Sequence, residues 1–146
     1  MQRTLILLKP DAIDRGLAGA ILARFEAAKL CIEKCRSVRP SLEQLEAHYA
    51  DLKPRNERAF RRTTASLQGK LFIAVLLSGP NAIQKVRALT GPTDPLAAPA
   101  GTVRGDFGND TIDQADAENR AADNLVHAAD SVASVEREMA IWFGEE

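Results

Sequence analysis

The sequence predicts an α/β chain of the α+β type: a ferredoxin-like β-α-β-β-α-β core with an antiparallel four-stranded sheet and added helices. Three observations support this. Four short apolar runs have strand length. Helix-spaced apolar residues fall between them, in the order strand, helix, strand, helical pair, strand, helix, loop, strand, helix. The 146 residues, 45% hydrophobic and 27% charged, suffice for one core. No linker or repeat divides them, so residues 1–146 are expected to form a single domain.

Each element has a local cause. Thr4 to Leu8 is a continuous apolar run, as in a strand buried on both faces. Asp14-Arg15-Gly16 turns the chain, and Leu17, Ile21, Leu22, Phe25 and Ala28 then recur at helical spacing. Leu30 to Val38 alternates as a second strand, ended by Pro40. Ser41 and Gln44 have capping-box spacing and open a short helix to about Tyr49. Pro54 interrupts, and a further helix is expected over Glu57 to Leu67. Leu71 to Leu77 reads as another buried strand. Gly79-Pro80-Asn81 starts a helix carrying Ile83, Val86 and Leu89, with Gly91 beyond its end. Pro92 to Asn124 is rich in Pro, Gly, Ala and Asp, and a connection this long is functional or disordered. Leu125 to Ala128 is a short fourth strand. Asp130 or Ser131 caps a last helix with an apolar stripe of Val132, Val135, Met139 and Trp142.

Composition excludes several functions. A net charge of −1 gives no electrostatic footprint for nucleic acid. RNA-binding modules share the fold, but their exposed aromatic sheet residues have no counterpart here. No apolar run reaches membrane-spanning length, and residues 1–8 read as a strand rather than a signal peptide, so a cytoplasmic protein is expected. Cys31 and Cys35 read as small buried hydrophobes on one strand face, too distant to bridge and too few for a metal site.

The most informative residue is His127, one of only two histidines. Lys9, Arg87 and Arg104 occupy element ends or loops, where a basic side chain can face a ligand. A neutral imidazole is a competent nucleophile near pH 7, and cations offset the charge on a transferring phosphoryl group. Taken singly, His127 reads as a structural histidine, Lys9 as an ordinary strand-end lysine and Arg87 as a solvated helix residue, whereas Arg104 in its long loop is less easily dismissed; taken together the set suggests phosphoryl transfer through a histidine. Glu138 lies near the buried stripe of the last helix, where an unpaired carboxylate is costly and His127 is the better partner. His48 reads as a packing or helix-surface residue. Arg55, Arg58, Arg61 and Arg62 form a basic helical patch that steers nucleotides or is simply solvated. The acidic run Asp110, Asp113, Asp116, Glu118 and Asp123 reads as a short solvated helix rather than a metal site.

Several stretches together resemble the nucleoside diphosphate kinases. They are Leu8-Lys9-Pro10-Asp11 with Arg15-Gly16-Leu17, the run 48–53, Gly91-Pro92-Thr93-Asp94-Pro95, the run 101–107, Asn124 to Val132, Glu136-Arg137-Glu138 and Trp142-Phe143. The resemblance runs from residue 3 to 143 in one order. It implies a ping-pong reaction in which a nucleoside triphosphate gives its terminal phosphate to a histidine and a nucleoside diphosphate takes it. By resemblance, His127 is the nucleophile and Glu138 orients its other ring nitrogen. Lys9 contacts the terminal phosphate and sugar, Arg87, Thr93 and Arg104 hold the phosphates, and Asn124 binds a sugar hydroxyl. Tyr49 lines the pocket near His127, and Phe60 is the best candidate for stacking on the base, a mode tolerant of base identity. Mg2+ is the implied cofactor, held mainly by the nucleotide phosphates with no direct protein ligand. The implied partners are nucleoside di- and triphosphates and further copies of the chain, as a dimer-based tetramer or hexamer, with neither membrane nor specific nucleic acid.

Three departures stand out. The segment at about 108–123 lengthens the family's connection by about ten residues. Ala128-Ala129 stands where relatives have Gly-Ser, and the lost hydroxyl removes a hydrogen bond worth about 1 kcal/mol. Pro54 to Leu67 aligns poorly. The first two motivate a rival reading, a nucleotide-binding regulatory protein with weak or no turnover. A second rival, a histidine phosphocarrier or protein-histidine kinase, fits less well with the full set Lys9, Arg87, Thr93, Arg104 and Asn124.

Overall fold

From Thr4 to Leu8 every residue of strand β1 (Gln2–Leu8) is buried, because this strand lies inside the sheet with a neighbour on each side. The computed structural model describes residues 1–144. After β1 come helices α1 (Pro10–Asp14) and α2 (Ala18–Ala27), then strand β2 (Cys31–Val38). Next are α3 (Leu42–His48), α4 (Leu52–Arg55) and α5 (Glu57–Leu67), then β3 (Phe72–Gly79) and α6 (Ala82–Thr90). The long segment that follows contains a 3-10 turn at Pro95–Ala97, α7 (Val103–Phe107) and α8 (Ile112–Ala117). Strand β4 (Val126–Ala128) and helix α9 (Val132–Phe143) complete the described chain. The sheet is antiparallel with order β2-β3-β1-β4, the expected ferredoxin-like arrangement.

Strand alternation divides the core into two layers. Leu5, Leu7, Phe72, Ala74 and Leu76 face Leu45, Leu67, Val135, Met139 and Trp142 of α3, α5 and α9. Ile6, Leu8, Val75 and Leu77 face Ile21, Phe25, Val86 and Val103 of α2, α6 and α7. In β4, Val126 and Ala128 belong to the second layer. His127, opposite Leu7 in the register, therefore points into the first, toward α3 and α9.

Helix starts follow the sequence. Ser41 and Gln44 form both arms of a capping box. Ser131 is the cap of α9, accepting from Ser134 N–H, while Asp130 accepts from the Ser134 hydroxyl. The cysteines differ from expectation: both are exposed. β2 is an edge strand, and its register breaks between Ile32 and Lys34, so Cys31 opposes Ser78 while Cys35 opposes Val75. A bulge shifts side-chain alternation by one, which puts the two on opposite faces. Among the described residues no helix is long and apolar enough to cross a membrane.

Candidate active site

Strand β4 is entered through a strained turn. Leu125 is buried with φ of 72°, and the Asn124 carbonyl accepts from Val126 N–H at 2.8 Å, the hydrogen bond of a γ-turn. Such a backbone persists only where its surroundings over-determine it. Here the Asp11 carboxylate accepts from Leu125 N–H at 3.1 Å, and the Leu125 carbonyl accepts from Lys9 N–H at 2.9 Å. The Asn124 carbonyl also accepts from Arg104 Nε at 3.0 Å. The turn thus gathers the end of β1, the start of α1, helix α7 and the start of β4 at one point.

His127 Nε2 and Glu138 Oε1 are 2.6 Å apart. Glu138 occupies the inward stripe of α9 with Val135, Met139 and Trp142 and is 2% exposed. When Glu138 is ionised its carboxylate accepts, so Nε2 carries the ring proton and Nδ1 the lone pair. Nδ1 has no hydrogen-bond partner among the described residues. Burial, then Lys9, Arg104 and Arg87, hold the imidazole well below its ordinary value of 6.5. Burial pushes the Glu138 carboxyl up to about 7. Over so short a bond the two groups titrate as one pair.

His48 is buried, not on a surface. Its Nδ1 accepts from Trp142 Nε1–H at 3.0 Å, and its ring stands edge-on to His127 with centroids 4.4 Å apart. The Tyr49 ring also stands edge-on to His48, with centroids 4.7 Å apart, and burial raises its phenol above the ordinary range.

Three cations face this group. Lys9 Nζ donates to Asn124 Oδ1 at 2.9 Å and to the Ala122 carbonyl at 3.0 Å, and burial lowers it to about 8. Arg104 is buried and donates to the carbonyls of Asn124, Gly91 and Val126; burial lowers it to about 10. Arg87 is exposed on α6 and donates to the Ala128 carbonyl at 3.1 Å. Asn124 Nδ2 donates to the Thr93 carbonyl at 3.2 Å, leaving the Thr93 side chain exposed.

These residues line one cleft of about 490 Å³, together with Leu52, Arg55, Thr63 and Arg137. Lys9, Tyr49, Arg87, Thr93, Arg104, Asn124, His127 and Glu138 are therefore brought together as the sequence predicted. Phe60 is not: it is buried in α5 with Lys53 Nζ 5.7 Å from its ring centre, and the cleft wall is made by its neighbours. Asn56 caps α5 and fixes its phase, so Ala59, Phe60, Thr64 and Leu67 turn inward. Sequence reasoning missed Arg137, which donates to the Ala47 carbonyl at 3.0 Å and brings Nη2 to 3.6 Å from Glu138 Oε2. Its position beside Glu138 was the available signal. It also missed the Ala122 carbonyl, which has no residue-type signature.

The donor set decides what metal the cleft suits. Among the described residues, the acidic, histidine and cysteine side chains close enough to share an ion are His48, His127 and Glu138. These are nitrogen-rich and already bonded to one another or to Trp142, whereas Mg2+ takes oxygen ligands and keeps its waters.

The family model described as "Nucleoside diphosphate kinase" matches residues 2–146. A nucleoside diphosphate kinase of Pyrobaculum aerophilum is 36% identical, with 100% of this chain and 97% of that protein covered. One from Desulfitobacterium hafniense (strain DSM 10664 / DCB-2) is 40% identical, covering 100% and 90%. A solved structure, a transition-state mimic of the Borrelia burgdorferi nucleoside-diphosphate kinase with bound vanadate and ADP, superposes with a TM-score of 0.93 at 29% identity, covering 99% of this chain and 88% of that one. With one ordered match along the whole chain, and a cationic cleft around an accessible histidine, the chain belongs to the nucleoside diphosphate kinase family and is a phosphotransferase.

Proposed function

We propose that His127 is the nucleophile of a ping-pong phosphoryl transfer between nucleotides, with the phosphohistidine formed on Nδ1. The Nε2–Oε1 bond of 2.6 Å carries this reading, because it leaves Nδ1 as the ring nitrogen with a free lone pair. In the first half-reaction Nδ1 attacks the terminal phosphorus of a nucleoside triphosphate. The bond to the bridging oxygen breaks, and its electron pair leaves with the nucleoside diphosphate. In the second half, the terminal phosphate oxygen of another nucleoside diphosphate attacks the same phosphorus and the P–N bond breaks. Glu138 stabilises the charge that develops on the ring through Nε2–H.

Lys9, Arg87 and Arg104 supply the positive field for the phosphates. Lys9 keeps one of its three N–H groups free of the two protein acceptors. Thr93 offers its hydroxyl at the rim, and Asn124 keeps an acceptor lone pair for a sugar hydroxyl. Tyr49 closes the pocket beside His48. The base lies toward the wall of α4 and α5, with Leu52 and Thr63 on the cleft surface and Phe60 buried behind it. Mg2+ would be held mainly by the nucleotide phosphates and would offset their charge there.

The test is exchange of phosphate from ATP to GDP with Mg2+, comparing wild type with His127→Ala. GTP formation that vanishes in the variant, together with an acid-labile, base-stable phosphoprotein, is expected. Wild type that binds nucleotide without forming phosphoprotein would sink the assignment; the relatives do not favour that regulatory reading. A homo-oligomer is supported by β2, whose outer edge no described strand covers. Sedimentation at a multiple of 15.8 kDa is expected, and a monomer refutes it. Two exposed free cysteines suit a reducing compartment, the cytoplasm.

A further inference from the structure

We infer that Arg120, in the segment 108–123, is a positioning residue for phosphoryl transfer: through Asp110 it fixes the turn on which the Lys9 ammonium is seated. The inference rests on the role proposed above for Lys9.

Both protein acceptors of Lys9 Nζ lie on this turn, the Ala122 carbonyl at 3.0 Å and Asn124 Oδ1 at 2.9 Å. Asp123, between them, donates its N–H to Asp110 Oδ2 at 2.8 Å. The Asp110 side chain is 5% exposed and takes both ends of the Arg120 fork, at 2.7 and 3.0 Å. Bidentate pairing fixes geometry as well as charge. Arg120 also donates to Glu118 Oε1 at 3.0 Å and to the Ala121 carbonyl at 3.1 Å. The rest of the segment is tied to α5: Ala121 N–H donates to Ser66 Oγ at 3.2 Å, and Arg62 pairs with Asp116.

The clamp therefore closes the lengthened connection at its base. A longer loop entering β4 would by itself loosen whatever it carries. With Asp110 joined to Arg120 and Asp123, the extra residues form a closed lobe and the turn at 121–124 stays rigid. Lysine has a flexible four-carbon stem, so its ammonium is directed only as well as its acceptors are held. Misplacing a catalytic cation by a fraction of an ångström is costly in rate. Burial lowers the Lys9 pKa to about 8; Asp11 opposes it most, Arg104 adds to the lowering, and Asp123 and Asp110 act in smaller measure to raise it.

The experiment is a double-mutant cycle in the full chain with ATP, GDP and Mg2+. Arg120→Leu is expected to lower kcat about tenfold, with Arg120→Lys intermediate. The alkaline limb of the Arg120→Leu rate profile should move upward, because Asp110 loses its countercharge and its negative charge then acts on Lys9 without offset. In a Lys9→Met background, Arg120→Leu should cost nothing further, since the role acts through Lys9. Losses that multiply, or an unmoved alkaline limb, would reduce Arg120 to a structural residue and overturn the inference. If Arg120→Leu does not fold, Arg120→Lys carries the same cycle. Phosphoenzyme formation by wild type separates the two readings: its absence sinks the role of His127, whereas its presence with unaffected Arg120 variants sinks only this one.

Discussion

At the residue scale, the site is a set of charged groups taken out of water and made useful by their neighbours. Lys9 shows the consequence for pH. Its pKa of about 8 in the free protein means that it loses charge as pH rises past that value. The kcat/KM profile should therefore fall on the alkaline side near pH 8, with the acid limb belonging to the His127–Glu138 pair. Arg104 and Tyr49 titrate higher and leave that limb to Lys9. Steady-state rates from pH 6 to 10 check this, and Lys9→Arg should abolish the break near 8. A limb that stays in Lys9→Arg would assign it elsewhere. His127 and its cations drew notice by residue type, but the places of Lys9, Tyr49, Thr93 and Asn124 were legible only through the ordered run of family motifs around them. The place of Phe60 was not legible, since whether an aromatic faces a cleft depends on helix phase, set here by the Asn56 cap one turn before it. The seat of Lys9 was hidden because one acceptor is a backbone carbonyl.

At the element scale, short pieces are held by close approaches. Helix α7 has five residues, yet it carries Arg104 to three backbone carbonyls. Thr102 caps it, and the Thr102 hydroxyl donates to the Pro99 carbonyl at 2.7 Å. A Cβ on Gly105 would overlap that same carbonyl. Gly105→Ala should therefore cost about 1–3 kcal/mol and displace Arg104, lowering both the thermal midpoint and kcat/KM. Calorimetry with exchange assays measures both, and a wild-type midpoint would show that the loop yields freely. Strands and capped helices were legible from periodicity and end signals. The bulge in β2 was not, because a single extra residue leaves the apolar pattern looking continuous while it reverses every side chain beyond it. The lobe at 108–123 was legible as an unusual length and in part as a short acidic helix, but only Asp113 and Asp116 lie in α8, and Asp110, read as solvated, is buried against Arg120. The closure of the lobe was not legible, since Asp110 and Arg120 are ten residues apart in a polar run with many possible pairings.

At the scale of the whole molecule, the two-layer core sets how the fold responds to acid. His48 lies inside the first layer with its pKa depressed to about 3 by burial, then by His127. In the unfolded chain it titrates near 6.5, so unfolding takes up a proton at any pH between those values. The stability it contributes is complete above 6.5 and is lost as pH falls toward 3, by up to about 1.4 kcal/mol per pH unit. The His127–Glu138 pair adds little slope, because its raised carboxyl offsets its depressed imidazole. Urea midpoints between pH 7 and 5 should show the loss in wild type and a flatter dependence in His48→Gln. Equal slopes would mean that acid acts through other groups. The same histidine joins the core to the nucleophile. Trp142 is the only tryptophan in the chain, its indole N–H ends on His48, and the His48 ring touches His127. A phosphoryl group on His127 brings a charge of about −2 within reach of that relay. Emission from the single indole should shift when ATP is added and return when GDP removes the phosphate, so the enzyme's own fluorescence would count its phosphorylated molecules without a label.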